Sequence, residues 1–229
     1  TPAALRALQS VPEVLDVGED RVAWASLVDS VPLVRADLAW AAGFTGEGQT
    51  IAILDTGVDK AHPFLAGKVV AEACFSLTGS CPNGSTSQVG PGAGVPCTFS
   101  AGCFHGTHVA GIAAGRANDI AGVAPGASLM AVRVFSRLTG PDCEGAGEDP
   151  CSGAITSDII AALEWVYSQR SSYSIAAVNM SLGSERFDSY CDSDTTAAAE
   201  KAAIDNLRTV GTATVVASGN ESYADSISF

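Results

Sequence analysis

Residues 103–115 read C-F-H-G-T-H-V-A-G-I-A-A-G. The fold and the chemistry that we predict for the chain are organised around this stretch. Two histidines, His105 and His108, stand at the start of a run of alanine and glycine that is typical of a tightly packed helix. The N-terminus of a helix has unpaired N–H groups and a partial positive charge. A neutral histidine held there can accept a proton, provided that a carboxylate fixes its tautomer.

Two apolar runs elsewhere in the chain end at polar side chains that suit such a histidine. Residues 51–59 read I-A-I-L-D-T-G-V-D and bring Asp55 to the end of a predicted strand. Residues 214–221 read T-V-V-A-S-G-N-E and bring Asn220 to the end of another. The pattern therefore offers the histidine a carboxylate that can fix its tautomer, and it places an amide at the end of another strand.

These segments resemble the Asp, His and oxyanion-hole Asn motifs of the subtilisin-like serine proteases, the subtilases. A fourth segment, V-N-M-S-L-G at residues 178–183, resembles the substrate-binding strand of that family. Asp before His is also the order in the family's Asp–His–Ser triad. The resemblance runs from about residue 31 to the C-terminus.

The resemblance implies a role for each candidate residue. Asp55 would accept the Nδ1–H of His105, His105 would act as general base and then as general acid, and Asn220 would stabilise the oxyanion. The implied substrate-binding residues are Ser181, Leu182, Gly183, Ala217, Ser218, Gly219 and Phe135. For Phe135 a place in the sheet core is an equally good prediction. His108 is structural in the family, and His62 is predicted to be a loop residue.

The nucleophile motif of the family, G-T-S followed by small residues, does not occur in these 229 residues. Ser218, Ser226 and Ser228 lie in no G-T-S or G-x-S-x-G segment, in which a tight turn exposes the hydroxyl. We therefore expect the nucleophile beyond residue 229, and we interpret the chain as most of a serine endopeptidase that is inactive as this fragment. The alternatives are a non-catalytic, peptide-binding pseudoprotease of the same fold and a nucleotide-binding domain. A carboxylate where a phosphate-binding turn belongs disfavours the nucleotide-binding domain.

Composition and charge exclude several classes of protein. A hydrophobic content of 47% with 16% charged residues predicts a chain that buries a core. The net charge of −13 argues against a nucleic-acid partner, because phosphates need basic patches. No apolar run approaches the ~20 residues that span a bilayer. We expect a secreted monomer that acts on polypeptides, with no nucleic acid and no membrane as a partner.

Seven cysteines predict disulfide bonds and an oxidising compartment, since none forms a C-x-x-C pair. Cys143 and Cys151 flank a short acidic loop and are predicted to pair. Four others can pair as neighbours or cross, and the sequence leaves both open: Cys74, Cys81, Cys97 and Cys103. Cys191 remains, and we expect its partner beyond the C-terminus.

Apolar runs and helical patterns alternate along the chain, which predicts βαβ units with right-handed crossovers. The predicted strands are residues 50–54, 68–73, 128–135, 175–180 and 212–217. The predicted helices are residues 34–42, 105–117, 157–169 and 195–210, and residues 76–102 and 136–153 are predicted insertions. The fold class is α/β, a three-layer, doubly wound, mainly parallel sheet with its site at the carboxyl ends of the strands.

The two ends of the domain prediction rest on the resemblance. Residues 1–30 resemble the end of an inhibitor-type propeptide, which would be an intramolecular inhibitor, and an N-terminal arm is the alternative. Residues 31–229 are the predicted peptidase domain, incomplete at its C-terminus. The chemistry needs no cofactor. Subtilases often bind calcium after the His helix, but here Asn118 and Asp119 offer too few oxygens for six to eight ligands, so no metal is predicted there. The sequence leaves structural calcium at other sites open.

Overall fold

The computed structural model describes residues 27–117, 119–144, 146–183, 186–189, 197–220 and 226–228. The helices are α1 (Leu27–Leu33), α2 (Ala36–Ala41), α3 (His105–Ala114), α4 (Thr156–Ser168) and α5 (Ala197–Thr209). The strands are β1 (Thr50–Asp55), β2 (Val69–Phe75), β3 (Ser87–Val89), β4 (Ser128–Arg133), β5 (Phe135–Leu138), β6 (Cys151–Ala154), β7 (Ile175–Met180), β8 (Arg186–Phe187), β9 (Ala213–Val216) and β10 (Ile227–Ser228).

The main sheet has the strand order β3-β2-β4-β1-β7-β9. The strands β2, β4, β1, β7 and β9 are parallel, and β3 is antiparallel to β2 at the edge. All five parallel strands were predicted within two residues of their bounds. Parallel strands need long crossovers, so the alternation of strand and helix patterns in the sequence was enough to predict this class of sheet.

Side chains of β1 alternate between two separate cores, one on each face of the sheet. Ala52 and Leu54 pack in a core that α4 and α5 cover, with Leu163 and Leu207 fully buried. Ile53 packs on the opposite face under α3. Burial on both faces explains why β1 is apolar at successive positions. The helix–sheet–helix layers confirm the predicted three-layer α/β fold.

The crossovers do not all have the predicted right-handed sense. The connections β2–α3–β4, β4–α4–β7 and β7–α5–β9 all move in the same direction across the sheet. However, α3 lies on one face while α4 and α5 lie on the other. Two connections that move the same way over opposite faces have opposite hands, so the three cannot all be right-handed.

Several predicted elements end earlier or divide. The helix predicted at residues 34–42 is observed as Ala36–Ala41, and Arg35, in the left-handed region at φ 61°, separates it from the preceding helix Leu27–Leu33. The central helix stops at Ala114, because Gly115 is extended and its N–H caps the last turn on Gly111. The strand predicted at residues 128–135 ends at Arg133, and β5 then leaves the sheet to form a hairpin with β6.

Three disulfide bonds fasten the two insertions. The predicted pair Cys143–Cys151 is confirmed and closes the β5–β6 hairpin. The other four cysteines pair as neighbours, which settles the open choice: the bonds are Cys74–Cys81 and Cys97–Cys103. Cys191 lies outside the described residues.

A buried carboxylate ties the first insertion to the core. Asp158, in the first turn of α4, accepts a hydrogen bond from the backbone N–H of Leu77 at 2.9 Å. Ser76 and Ser136 share a buried hydroxyl hydrogen bond of 2.7 Å beside it. Burial raises the pKa of Asp158, while the hydrogen bonds from Leu77 and Ser136 act in the opposite direction. The insertion is therefore held against the sheet near the end of β4.

The N-terminal prediction falls largely outside the described residues. Residues 1–26 are not described, and α1 runs across the predicted boundary between residues 30 and 31. The propeptide assignment therefore stays a prediction. In the part of the chain that the structure describes, no helix has the length and apolarity needed to cross a membrane.

Candidate active site

Four neighbouring strands deliver the predicted site residues to one edge of the sheet. Asp55 ends β1, Phe135 follows β4, Ser181 follows β7 and Ala217 follows β9. The order β4-β1-β7-β9 places these strand ends side by side. The carboxyl edge of a parallel sheet is where ligands of such folds bind.

The central feature of this edge is a direct contact between His105 and Asp55. Nδ1 of His105 lies 2.8 Å from Oδ1 and 2.9 Å from Oδ2 of Asp55. The Asp55 side chain is 1% exposed, whereas that of His105 is 45% exposed. An ionised carboxylate can only accept, so Nδ1 carries the proton and Nε2 is left as the acceptor. The exposed imidazole is thus held by a buried carboxylate in the tautomer that general-base chemistry needs.

Asp55 raises the pKa of His105 above its ordinary value. The hydrogen bond from the Nδ1–H to the carboxylate is the largest cause, burial opposes it, and the negative charge of Asp55 adds to it. A carboxylate beside a histidine stabilises the imidazolium, which is the form that appears once a proton has been accepted. The pair therefore favours proton transfer to His105.

Thr56 and Gly106 join the strand that carries Asp55 to the helix that carries His105. The hydroxyl of Thr56 accepts from the backbone N–H of Gly106 at 2.9 Å and donates to the carbonyl of Cys103 at 3.1 Å. A Cβ on Gly106 would overlap the carbonyl oxygen of Gly57 and lie 3.0 Å from Oδ1 of Asp55. Sequence analysis assigned no role to Thr56 or Gly106, although both stand inside the quoted motifs.

The predicted substrate-binding strand lies where β7 ends, beside β9. The Ser181 hydroxyl accepts a hydrogen bond from Nδ2 of Asn179 at 3.0 Å, and Leu182 packs against the core under α4 and α5. Gly183 is exposed. A backbone segment that leaves a sheet edge with an exposed glycine can pair with an extended peptide.

The segment after β9 forms the neighbouring part of this edge. The N–H of Ala217 donates to the carbonyl of Met180 at 3.1 Å, which continues the β7–β9 pairing by one residue. Ala217 and Ser218 are exposed, and Gly219 has φ 96°, which turns the chain before Asn220. Asn220 is exposed at the same edge. Its predicted role at an oxyanion stays a prediction.

The remaining predicted residues divide between core and surface. Phe135 is half-buried and packs against the core, which supports the core reading, while the subsite reading stays a prediction. Nδ1 of His62 accepts from the N–H of Phe64 at 3.2 Å and so caps a short helical turn in a loop, as expected. His108 is exposed and lines an apolar groove of about 1240 Å³ on the outer side of α3.

Comparisons with known proteins agree with this geometry. A sequence model described as the subtilase family matches residues 46–228. The chain is 31% identical to Subtilisin E of Bacillus subtilis (strain 168), over 98% of this chain and 49% of that protein. It is 46% identical to Thermitase of Thermoactinomyces vulgaris over a shorter stretch, 44% of this chain and 31% of the relative.

A solved structure shows the same fold. The chain is similar to the S41 Psychrophilic Protease, with a TM-score of 0.53 and 29% identity over 77% of this chain and 47% of that one. The relatives that match 98% of this chain are longer proteins, and the chain spans about half of their length. The family match covers most of the chain, and the chain therefore belongs to the subtilases, the subtilisin-like serine proteases.

Proposed function

We propose that this chain is the part of a serine endopeptidase that provides the general base, its orienting carboxylate and the substrate-binding edge. The contact of 2.8 Å between Nδ1 of His105 and the buried Asp55 is the observation that carries the proposal. Membership of the subtilase family supports it. Because the relatives are about twice as long as this chain, the serine nucleophile is assigned to polypeptide outside these 229 residues.

In the proposed reaction Nε2 of His105 removes the proton from the serine hydroxyl as the oxygen attacks the peptide carbonyl. The imidazolium formed is stabilised by Asp55, which stays ionised. The same proton then passes to the leaving amine, and a water molecule repeats the sequence to release the acid. The geometry of His105 and Asp55 supports both directions of transfer, since Nε2 is the nitrogen that faces away from the carboxylate.

Binding of the peptide is assigned to the ends of β7 and β9. Ser181, Leu182 and Gly183 would pair with extended substrate backbone, and Ala217, Ser218 and Gly219 would form the other wall of the first pocket. The amide of Asn220 would donate to the oxyanion. Loss of such a donor costs about 10²–10³-fold in kcat in subtilisin itself, so this side chain would contribute strongly to catalysis.

The proposed setting is extracellular, with the propeptide as an intramolecular inhibitor and a monomer as the active form. The chain is 34% identical to Minor extracellular protease Vpr of Bacillus subtilis (strain 168), over 60% of this chain and 16% of that protein. Three disulfide bonds support an oxidising compartment. We expect no cofactor in the chemistry and no metal in the loop after α3.

The test is peptide hydrolysis by the full-length protein and its Asp55→Asn variant. Loss of the carboxylate removes both the charge and the tautomer control, so kcat should fall about 10⁴-fold, as in the comparable serine protease substitution. Asp59→Asn is the matched control, because this nearby carboxylate is exposed and accepts a local hydrogen bond from the N–H of Ala61. Equal turnover by wild type and Asp55→Asn would refute the assignment.

The pseudoprotease alternative gives a different result in the same assay. It would bind peptides through the β7 and β9 ends without cleaving them, and the wild-type protein would not react with a serine-directed fluorophosphonate probe. We expect labelling of the full-length protein and no specific labelling of residues 1–229 alone, because no serine of this chain lies in a nucleophile motif.

A further inference from the structure

Thr56 links the strand that carries Asp55 to the helix that carries His105. It is 2% exposed and directly follows Asp55. Its N–H donates to Oδ1 of Asp55 at 2.7 Å, and its hydroxyl bonds the N–H of Gly106, the residue after His105. One threonine therefore contacts both the carboxylate and the first turn of the helix that carries the imidazole.

The same threonine binds both ends of a small disulfide loop. The carbonyl of Thr56 accepts from the N–H of Cys97 at 2.9 Å, and its hydroxyl donates to the carbonyl of Cys103 at 3.1 Å. Cys97 and Cys103 are bonded to each other across six residues, and both are buried. The loop ends two residues before His105, so its closure fixes the point at which α3 starts.

We propose that the Cys97–Cys103 disulfide and Thr56 form a clamp, a positioning device that holds His105 against Asp55. The clamp adds to the proposed function and rests on it only for its effect on turnover. Thr56 supplies the link to the carboxylate, and the disulfide keeps the two loop ends at the spacing that Thr56 bridges. Closing the loop removes conformations in which the segment before His105 would swing away from β1.

The place of His105 in the fold explains why its hydrogen bond to Asp55 needs additional support to hold the imidazole in position. His105 is half-exposed and stands at the first residue of α3, where a helix frays most easily. The clamp contacts the chain on both sides of His105: at Cys103, two residues before it, and at Gly106, directly after it. A displacement of about 1 Å at a catalytic group can cost about 10²-fold in rate.

The first test compares Thr56→Val with Thr56→Ser in the full-length protein. Valine keeps the shape of threonine and removes the hydroxyl, while serine keeps the hydroxyl. We expect Thr56→Val to lower kcat about 10- to 100-fold with little change in KM, and to lower the pKa of His105 measured by NMR toward its ordinary value. Thr56→Ser should restore both values.

The second test removes the disulfide. We expect Cys97→Ala/Cys103→Ala to shift kcat and the His105 titration in the same direction as Thr56→Val. Cys74→Ala/Cys81→Ala is the matched control, because it opens a buried disulfide loop of similar length on β2, away from His105. The control should lower thermal stability while leaving the His105 titration unchanged.

The outcomes separate the clamp from the proposed function. If the wild type cleaves no peptide, the proposed function fails, but the His105 titration still reports on the clamp. If Thr56→Val does not fold, the Cys97→Ala/Cys103→Ala variant decides alone. Folded Thr56→Val and Cys97→Ala/Cys103→Ala proteins with a wild-type His105 titration would overturn the inference, as would an equal shift in the Cys74→Ala/Cys81→Ala control.

Discussion

His105 must be neutral to accept a proton, yet Asp55 makes it more basic. The hydrogen bond to Asp55 raises the pKa of His105 above the ordinary ~6.5 of histidine. A raised folded-state pKa means that the pair stabilises the fold fully below the unfolded-state pKa and that this contribution is lost as pH rises through the folded-state value. In the proposed mechanism activity has the opposite dependence, because the neutral imidazole is the form that can accept a proton.

We therefore expect kcat/KM of the full-length enzyme to rise with pH through an apparent pKa above ~6.5. The physical reason is the bond of 2.8 Å to Asp55, which favours the imidazolium. The measurement is kcat/KM across the acid and neutral range, together with an NMR titration of His105. In Asp55→Asn the pKa of His105 should fall. A kinetic midpoint below the ordinary histidine value would contradict this reading of the pair.

The second histidine of the motif gives a sharp contrast with the first. His105→Ala removes the proposed base and should lower kcat about 10⁴- to 10⁶-fold, as losses of this group do in serine proteases. His108 is exposed, so His108→Ala should change the free energy of unfolding by no more than about 0.5 kcal/mol and should preserve turnover. Steady-state kinetics and urea unfolding of both variants measure this. If a folded His108→Ala enzyme lost turnover while His105→Ala kept it, His108 and not His105 would be the base.

At the scale of elements, the contact between α3 and β1 depends on a glycine. Gly106 is buried where the first turn of α3 crosses the end of β1, close to the carbonyl of Gly57 and to Asp55. No side chain fits between the two elements at this point. The glycine therefore sets how closely the helix approaches the carboxylate.

Gly106→Ala should push the start of α3 away from β1. We expect a loss of about 1–3 kcal/mol in the free energy of unfolding, the usual cost of overpacking, and a lower kcat. Denaturant unfolding and peptide hydrolysis measure the two effects.

Gly111→Ala is the matched control in the same helix. A Cβ there would lie 3.3 Å from Cδ1 of Phe64, a ring that can yield, and alanine favours helix by about 1 kcal/mol over glycine. We expect the stability of this control to change by less than about 1 kcal/mol. Equal effects of the two substitutions would show that the close approach at Gly106 is not special.

At the scale of the whole molecule, disulfide bonds fasten segments that the sheet itself does not fix. The three bonds close loops of six to eight residues in or beside the two insertions. A small closed loop contributes stability mainly by limiting the unfolded chain. No cysteine belongs to the two core clusters on the faces of the main sheet in the described part of the chain.

Intact-mass analysis after alkylation in denaturant should show six protected cysteines in material prepared under oxidising conditions. The structure pairs Cys74 with Cys81, Cys97 with Cys103, and Cys143 with Cys151. Cys191 should be alkylated or cross-linked between chains. Prior reduction of the same sample is the control and should expose all seven. Seven alkylated cysteines without reduction would contradict the assigned bonds.

Local pattern was enough to predict much of this protein. The apolar run before Asp55 predicts a strand that ends at a carboxylate, and the small residues after His105 predict a helix, because both patterns depend on neighbours in the sequence. The pair Cys143–Cys151 followed from its short spacing for the same reason. Together with the family resemblance, these local features also predicted that Asp55 and His105 would meet.

Other features depend on which distant segments become neighbours, so they are seen in the tertiary structure and could not be predicted from the sequence. The strand order and the side of the sheet on which α3 packs make the hand of its crossover opposite to that of the α4 and α5 crossovers. Thr56 meets Cys103 and Gly106 across 47 and 50 residues, a distance over which periodicity and propensity carry no information. The exposure of His108 likewise depends on the face that α3 turns to the sheet. Sequence pattern specifies the conformation of each element, whereas the close packing of distant elements determines their contacts.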